Sequence, residues 1–93
     1  MFKSPQPNII ESSDGFSVEV LGRAGLLYRE GDRKTVLNSE ILMGPSGMVI
    51  YSKSIVRWDV PHDNQLIETP DRERILTNIR EAFRFQGFEV DVI

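Results

Sequence analysis

The run Leu26-Leu27-Tyr28-Arg29-Glu30-Gly31-Asp32-Arg33-Lys34 decides the fold class. Two strand-like stretches flank Gly31-Asp32, and a Gly-Asp pair in that setting is a hairpin signal. The second arm continues from Lys34 to Leu42. Two registers fit the turn. A two-residue loop sets Arg29 opposite Lys34, a like-charge pair, whereas a three-residue loop sets Glu30 opposite Lys34 and Tyr28 opposite Val36. Cross-strand pairing preferences favour the second.

The pattern extends in both directions. Upstream, Phe16, Val18 and Val20 alternate with Ser17 and Glu19, which predicts a first strand over Gly15 to Leu21, and Gly22 and Gly25 bracket a turn. Residues 1 to 8, with Pro5 and Pro7, read as a flexible arm. Downstream, Gly44-Pro45-Ser46-Gly47 is a turn, followed by strands over Met48 to Lys53 and Ile55 to Val60. Pro61-His62-Asp63-Asn64 then breaks the sheet pattern.

A helix follows. Thr69 is placed to cap it, Pro70 suits its first position, and Asp71 complements the positive end of its dipole. Ile75, Leu76, Ile79, Ala82, Phe83 and Gln86 recur on one face, and Gly87 is placed to end it. Phe88, Val90 and Val92 alternate with Glu89 and Asp91 in a final strand. The expectation is an α+β fold forming a single domain over residues 1–93. It has a mainly antiparallel sheet of five or six strands, one C-terminal helix packed on one face, and a short final strand. Phe16, Val18, Ile50, Ile75, Ile79 and Phe83 should share its core.

Composition narrows the function classes. At 93 residues the chain is near the small end of what folds without staples, and with no cysteine it has neither disulfides nor thiolate metal sites. Fourteen acidic against 11 basic side chains give a net charge of -3, which disfavours nonspecific polyanion binding and suits a basic partner. The opening Met1-Phe2-Lys3-Ser4-Pro5-Gln6-Pro7 has no apolar core of a secretory signal, and no run has membrane-span length. A soluble, cytoplasmic protein with no membrane association is expected.

No reaction constellation emerges. His62, the single histidine, stands beside Pro61 and Asp63 without a nucleophile to serve, so it reads as a bystander. The glycines of Gly44-Pro45-Ser46-Gly47 are two residues apart and precede Met48, unlike a phosphate loop, which needs wider spacing and a lysine. Asp59, Asp63, Glu68 and Asp71 lack calcium-loop spacing and read as a solvated connector. Arg72, Arg74, Arg80 and Arg84 do not form one stripe: Arg72 lies along the apolar face, Arg80 and Arg84 share a flank with Glu73, and Arg74 lies near Glu81. Trp58, in phase with Val56 and Val60, reads as core. Phe85 lies off the apolar stripe. It is the candidate partner-binding residue, to be covered by the arm, the last strand or a partner.

A resemblance carries the reading further. Gly25 through Arg33, then Asn38-Ser39-Glu40-Ile41-Leu42, Ile50-Tyr51, Ser54-Ile55, Trp58-Asp59 and the helix segment Arg74 to Ala82 together resemble the immunity protein 74 family of bacterial polymorphic toxin systems. The resemblance implies a cytoplasmic α+β domain that neutralises a cognate toxin by binding it, with no catalysis and no cofactor. It carries over no contact residues. Two further expectations come from the residues themselves. Strands with apolar residues of both parities, such as Leu26 with Leu27 and Val49 with Ile50, call for cover, either in a homodimer through the sheet or by the N-terminal arm. A nucleic-acid face would draw on Tyr28, Arg29, Lys34, Tyr51, Lys53 and Arg57, and the acidic balance argues against it.

Overall fold

The computed structural model describes residues 1–22, 25–41 and 47–93. Seven strands form one sheet in chain order: β1 (Phe2–Gln6), β2 (Ile9–Ser12), β3 (Phe16–Gly22), β4 (Gly25–Glu30), β5 (Arg33–Ile41), β6 (Met48–Ile50) and β7 (Val90–Val92). Neighbours pair antiparallel from β1 to β6. The last pair, β6 and β7, is parallel, because the chain between them crosses over through helix α1 (Thr69–Phe85). The α+β class, the C-terminal helix and the short last strand are as the pattern predicts. The strand count is higher.

The excess lies at the N-terminus. The residues expected as a flexible arm supply β1, an edge strand whose Pro5 is tolerated because one side of an edge makes no ladder. The β2–β3 connection turns at Ser13-Asp14-Gly15, where the Asp14 amide donates to Ser12 Oγ at 3.0 Å. Asp14-Gly15 is a hairpin signal that reveals β2.

The central hairpin takes the two-residue loop. Tyr28 pairs with Thr35, Arg29 with Lys34, and Glu30 with Arg33, so the three-residue register is incorrect. Burial decides this. Thr35, Leu37 and Ser39 are buried beneath the covering layer, whereas Lys34, Val36, Asn38 and Glu40 are exposed. The alternative would turn two charges and an amide into the core, since a one-residue slip exchanges the faces. The Arg29–Lys34 repulsion sits in solvent, where it is screened. Gly31 enters the turn at φ +62°, the left-handed first position of a type II′ hairpin.

One predicted strand is absent. Residues Ile55 to Val60 run beside the first half of β5, which β6 does not reach, yet they form no ladder. Their ties to β5 are a side-chain bond from Thr35 Oγ1 to the Arg57 carbonyl at 3.1 Å and a backbone bond from the Asp59 amide to the Lys34 carbonyl at 2.7 Å. The segment instead folds on itself through an isolated Arg57–Leu66 bridge. The strand predicted from Met48 likewise stops at Ile50, and a 3₁₀ turn (Ser52–Ser54) follows. Ile55 and Trp58 are buried, while Val56 and Val60 are exposed, so Trp58 is out of phase with both valines.

The core is one layer deep. Ile75, Ile79, Ala82 and Phe83 of α1 cover β2 and β3, and Ile55, Trp58 and Ile67 close the rest of the same face. All six residues expected to share the core are buried. Helix α1 begins one residue earlier than Thr69 as a cap would allow. Glu68 is the N-cap and makes no side-chain capping bond. Its C-terminus closes as a Schellman motif, with the Gly87 amide on the Arg84 carbonyl at 3.0 Å and the Phe88 amide on the Phe83 carbonyl at 2.9 Å.

A polar clasp joins α1 to the hairpin. Arg74 grips Glu30 through Nε at 2.9 Å and Nη2 at 2.7 Å, and reaches Asp71 at 2.8 Å, so it faces the sheet rather than Glu81. The Tyr28 hydroxyl donates to Glu30 at 2.8 Å and accepts from Asn78 Nδ2 at 2.9 Å. The guanidinium of Arg74 chiefly holds Glu30 below its ordinary value of 4.5, against the opposing effect of burial. Burial pushes the Tyr28 phenol above its usual range.

The clasp has a pH signature. A carboxylate whose folded pKa is depressed stabilises the fold fully above its unfolded-state value and ceases to do so as pH falls through the folded value. Glu30→Gln should therefore be less stable than the unaltered chain by about 1 kcal/mol near neutrality, the pair being partly exposed. Urea midpoints at about pH 7 and about pH 3 should show that gap closing in acid. A gap of undiminished size in acid contradicts the assignment.

Ser39 has the opposite character. Its Oγ is buried without a hydrogen-bond partner among the described residues, while its backbone pairs with Ile50. Leaving a buried hydroxyl unpaired costs about 1–3 kcal/mol. Ser39→Ala should raise the unfolding free energy by about 1 kcal/mol, and a measurable loss would show that the hydroxyl has a structural partner.

Candidate partner-binding site

The residues singled out for chemistry do not converge. His62 is half-buried and its Nε2 lies 3.4 Å from a carboxylate oxygen of the exposed Asp32 at the hairpin tip. Among the described residues, no three His, Cys, Asp or Glu side chains lie close enough to hold a metal ion. Of Gly44-Pro45-Ser46-Gly47, all but Gly47 lie outside the described residues. Trp58 is 1 % exposed, with the Arg33 guanidinium 5.9 Å from its ring centroid. Tyr28, the first aromatic of the nucleic-acid set, is fully buried and cannot stack on a base. Arg72 Nε donates to the Ile55 carbonyl at 3.2 Å, which makes it a strut between α1 and the covering segment.

Phe85 is half exposed. One side of its ring packs on Phe2 of β1 at 5.6 Å between centroids, and Phe2 in turn meets Phe16 edge-on at 5.9 Å. The N-terminal residues thus cover it partly.

A larger apolar feature lies at the same end of α1. Val20, Met48, Phe83 and Phe88, with Pro7 and Gln86 at its margins, line a groove of about 280 Å³. Its construction follows from the helix stop. The Schellman closure fixes Phe88 against the Phe83 carbonyl and leaves the Phe88 ring 50 % exposed. Gly47 backs the groove at φ +75°, where an added Cβ would lie 3.2 Å from the Phe88 ring and 3.1 Å from the Glu89 carbonyl. Only glycine allows β6 to start that close to Phe88. Alternation had placed Phe88 in a strand, and the exposed ring was therefore missed; Gly87 followed at once by an aromatic was the available signal.

The face of the sheet away from α1 is different in kind. The register aligns Ile9, Glu19, Leu27 and Val36 in one row across β2 to β5, and Lys3, Glu11, Ser17, Arg29 and Lys34 in the next. Ile9 and Leu27 are half-buried, and charges interrupt the apolar row. This explains the apolar residues of both parities: Leu26 enters the core while Leu27 lies on the opposite face.

The family model described as immunity protein 74 matches residues 17–93. The chain belongs to the immunity protein 74 family. The match takes in β3 from Ser17, β4 through β7 and α1, and with them Val20, Met48, Phe83 and Phe88 of the groove. It leaves out β1 and β2, so Phe2, which covers Phe85, lies outside the family-wide part of the chain. No curated protein and no solved structure matches this member of the family. Among its described residues no helix is long and apolar enough to cross a membrane.

Proposed function

We propose that this chain is a non-catalytic immunity protein of a bacterial polymorphic toxin system, which neutralises a cognate toxin in the cytoplasm by occupying its surface. The observation that carries this reading is the family match over residues 17–93. The shape of the molecule supports it. The groove at the end of α1 is lined mainly by the apolar side chains Val20, Met48, Phe83 and Phe88, a lining that suits an apolar side chain of a protein partner. Phe85 and Phe88 are about half exposed, and aromatic side chains including phenylalanine are enriched in the cores of protein interfaces.

Co-expression with the toxin domain encoded by the adjacent gene tests it. Cells should survive with the protein present and die without it. Killing that persists beside soluble, folded protein at matched levels contradicts the reading. The interrupted apolar row on the open sheet face would also support a homodimer, and a monomeric mass in sedimentation across a wide concentration range contradicts that.

A further inference from the structure

Phe88 stands between two hollows. On one side is the apolar groove. On the other is a hollow of about 240 Å³ lined by Arg80, Arg84, Glu89 and Val90 as well as Phe88 itself. Arg80 and Arg84 are four residues apart on α1 and therefore neighbours on its surface. Both are exposed, and among the described residues neither is within ion-pair distance of a carboxylate, although Glu89 shares the hollow.

The helix dipole accounts for only one of them. Arg84 is in the last turn, where a cation complements the negative helix end. Arg80 is a turn earlier, where that effect has faded. Two neighbouring guanidiniums without partners repel each other modestly, and an external carboxylate relieves the repulsion while accepting directed, charge-assisted hydrogen bonds. An apolar slot with a polar, cationic rim has the layout of an interface anchor site.

Building on the immunity reading, we propose that this end of the molecule is the toxin-docking surface, and that its occupant is a toxin segment presenting an apolar side chain beside a carboxylate. The apolar side chain enters the groove against Phe88, and the carboxylate lies between Arg80 and Arg84. The chain's net charge of -3 favours a basic partner at long range, but at this contact the local charge is positive and selects an acidic one.

Calorimetry with the purified toxin domain encoded by the adjacent gene tests the surface directly. Phe88→Ala should raise Kd by about 30-fold or more, the scale of an interface anchor. Arg80→Glu combined with Arg84→Glu should raise it by a similar factor, and the association rate of that variant should lose the salt dependence contributed by the pair. Val60→Ser, in the 59–66 loop, should stay within about two-fold. Arg84→Glu gives up the cation that complements the helix end and Phe88→Ala gives up a half-buried ring, so melting temperatures should fall by a few degrees, and affinities are compared at a temperature where every variant is folded. Unchanged affinity for the Phe88 and arginine variants, with the unaltered chain binding tightly, overturns the docking surface and leaves the immunity reading standing. No binding by the unaltered chain overturns both.

Discussion

Trp58→Ala is expected to lower the unfolding free energy by about 3–5 kcal/mol, a large part of the about 5–15 kcal/mol available to a small domain. The side chain is 1 % exposed and belongs to a segment that lies against β5 without being a strand. A ladder would hold such a segment through many backbone bonds. Here one backbone bond near Trp58 reaches the sheet, from the Asp59 amide to the Lys34 carbonyl at 2.7 Å, while others stay within the segment, such as the Trp58 amide to the Gln65 carbonyl at 3.3 Å and the Ile67 amide to the Val56 carbonyl at 2.8 Å. Side-chain burial by Ile55, Trp58 and Ile67 must do the rest. Removing the largest of the three opens a cavity over β5 and frees the 55–67 segment. The chain has one tryptophan, so circular dichroism rather than fluorescence should follow the urea transition. Val60→Ala, at a position 70 % exposed, should change stability by less than about 0.5 kcal/mol. A Trp58→Ala loss as small as the Val60→Ala one would show that the segment is held by something other than its core contacts.

Ile79→Ala should cost about 2–5 kcal/mol, and Ile79→Val about 0.5–1.5 kcal/mol. Ile79 is fully buried on the helix stripe with Ile75, Ala82 and Phe83, and that stripe is what presses α1 onto β2 and β3. The two substitutions remove different amounts of the same side chain, so their ratio reads the packing directly. Equal costs would mean that the terminal methyl carries the whole loss and the two γ carbons contribute nothing, and a cost below about 0.5 kcal/mol for alanine would place Ile79 outside the core.

What could be read from the residues follows the strength of the local signal. Helix α1 was legible because its apolar residues repeat over 17 residues and Gly87 stops it. The hairpin at Gly31 was legible as a turn but not as a register. Pair preferences between Arg29, Glu30 and Lys34 are small beside the cost of turning Lys34 and Glu40 inward, and only the whole strand shows that. The segment 55–60 has strand composition, but its neighbour on the sheet is fixed by where β6 ends, which no local pattern encodes. β1 and β2 are short, proline-bearing and weakly apolar. They pair because β3 offers an edge, a tertiary fact. At the candidate site, Phe85 was visible as a residue off the stripe. The groove beside it was not, since it is assembled from Val20, Met48, Phe83 and Phe88 on four separate elements or connections.

Titrating a fixed amount of the cognate toxin with increasing amounts of this protein, and reading residual toxin activity, tests binding-based immunity most directly. The account predicts a straight loss of activity that ends at a fixed stoichiometric equivalence, full recovery of active toxin when the complex is dissociated, and no chemical change in the toxin's mass. Complete inactivation by a small fraction of an equivalent, or a toxin left covalently altered, would contradict it and make the protein a catalyst.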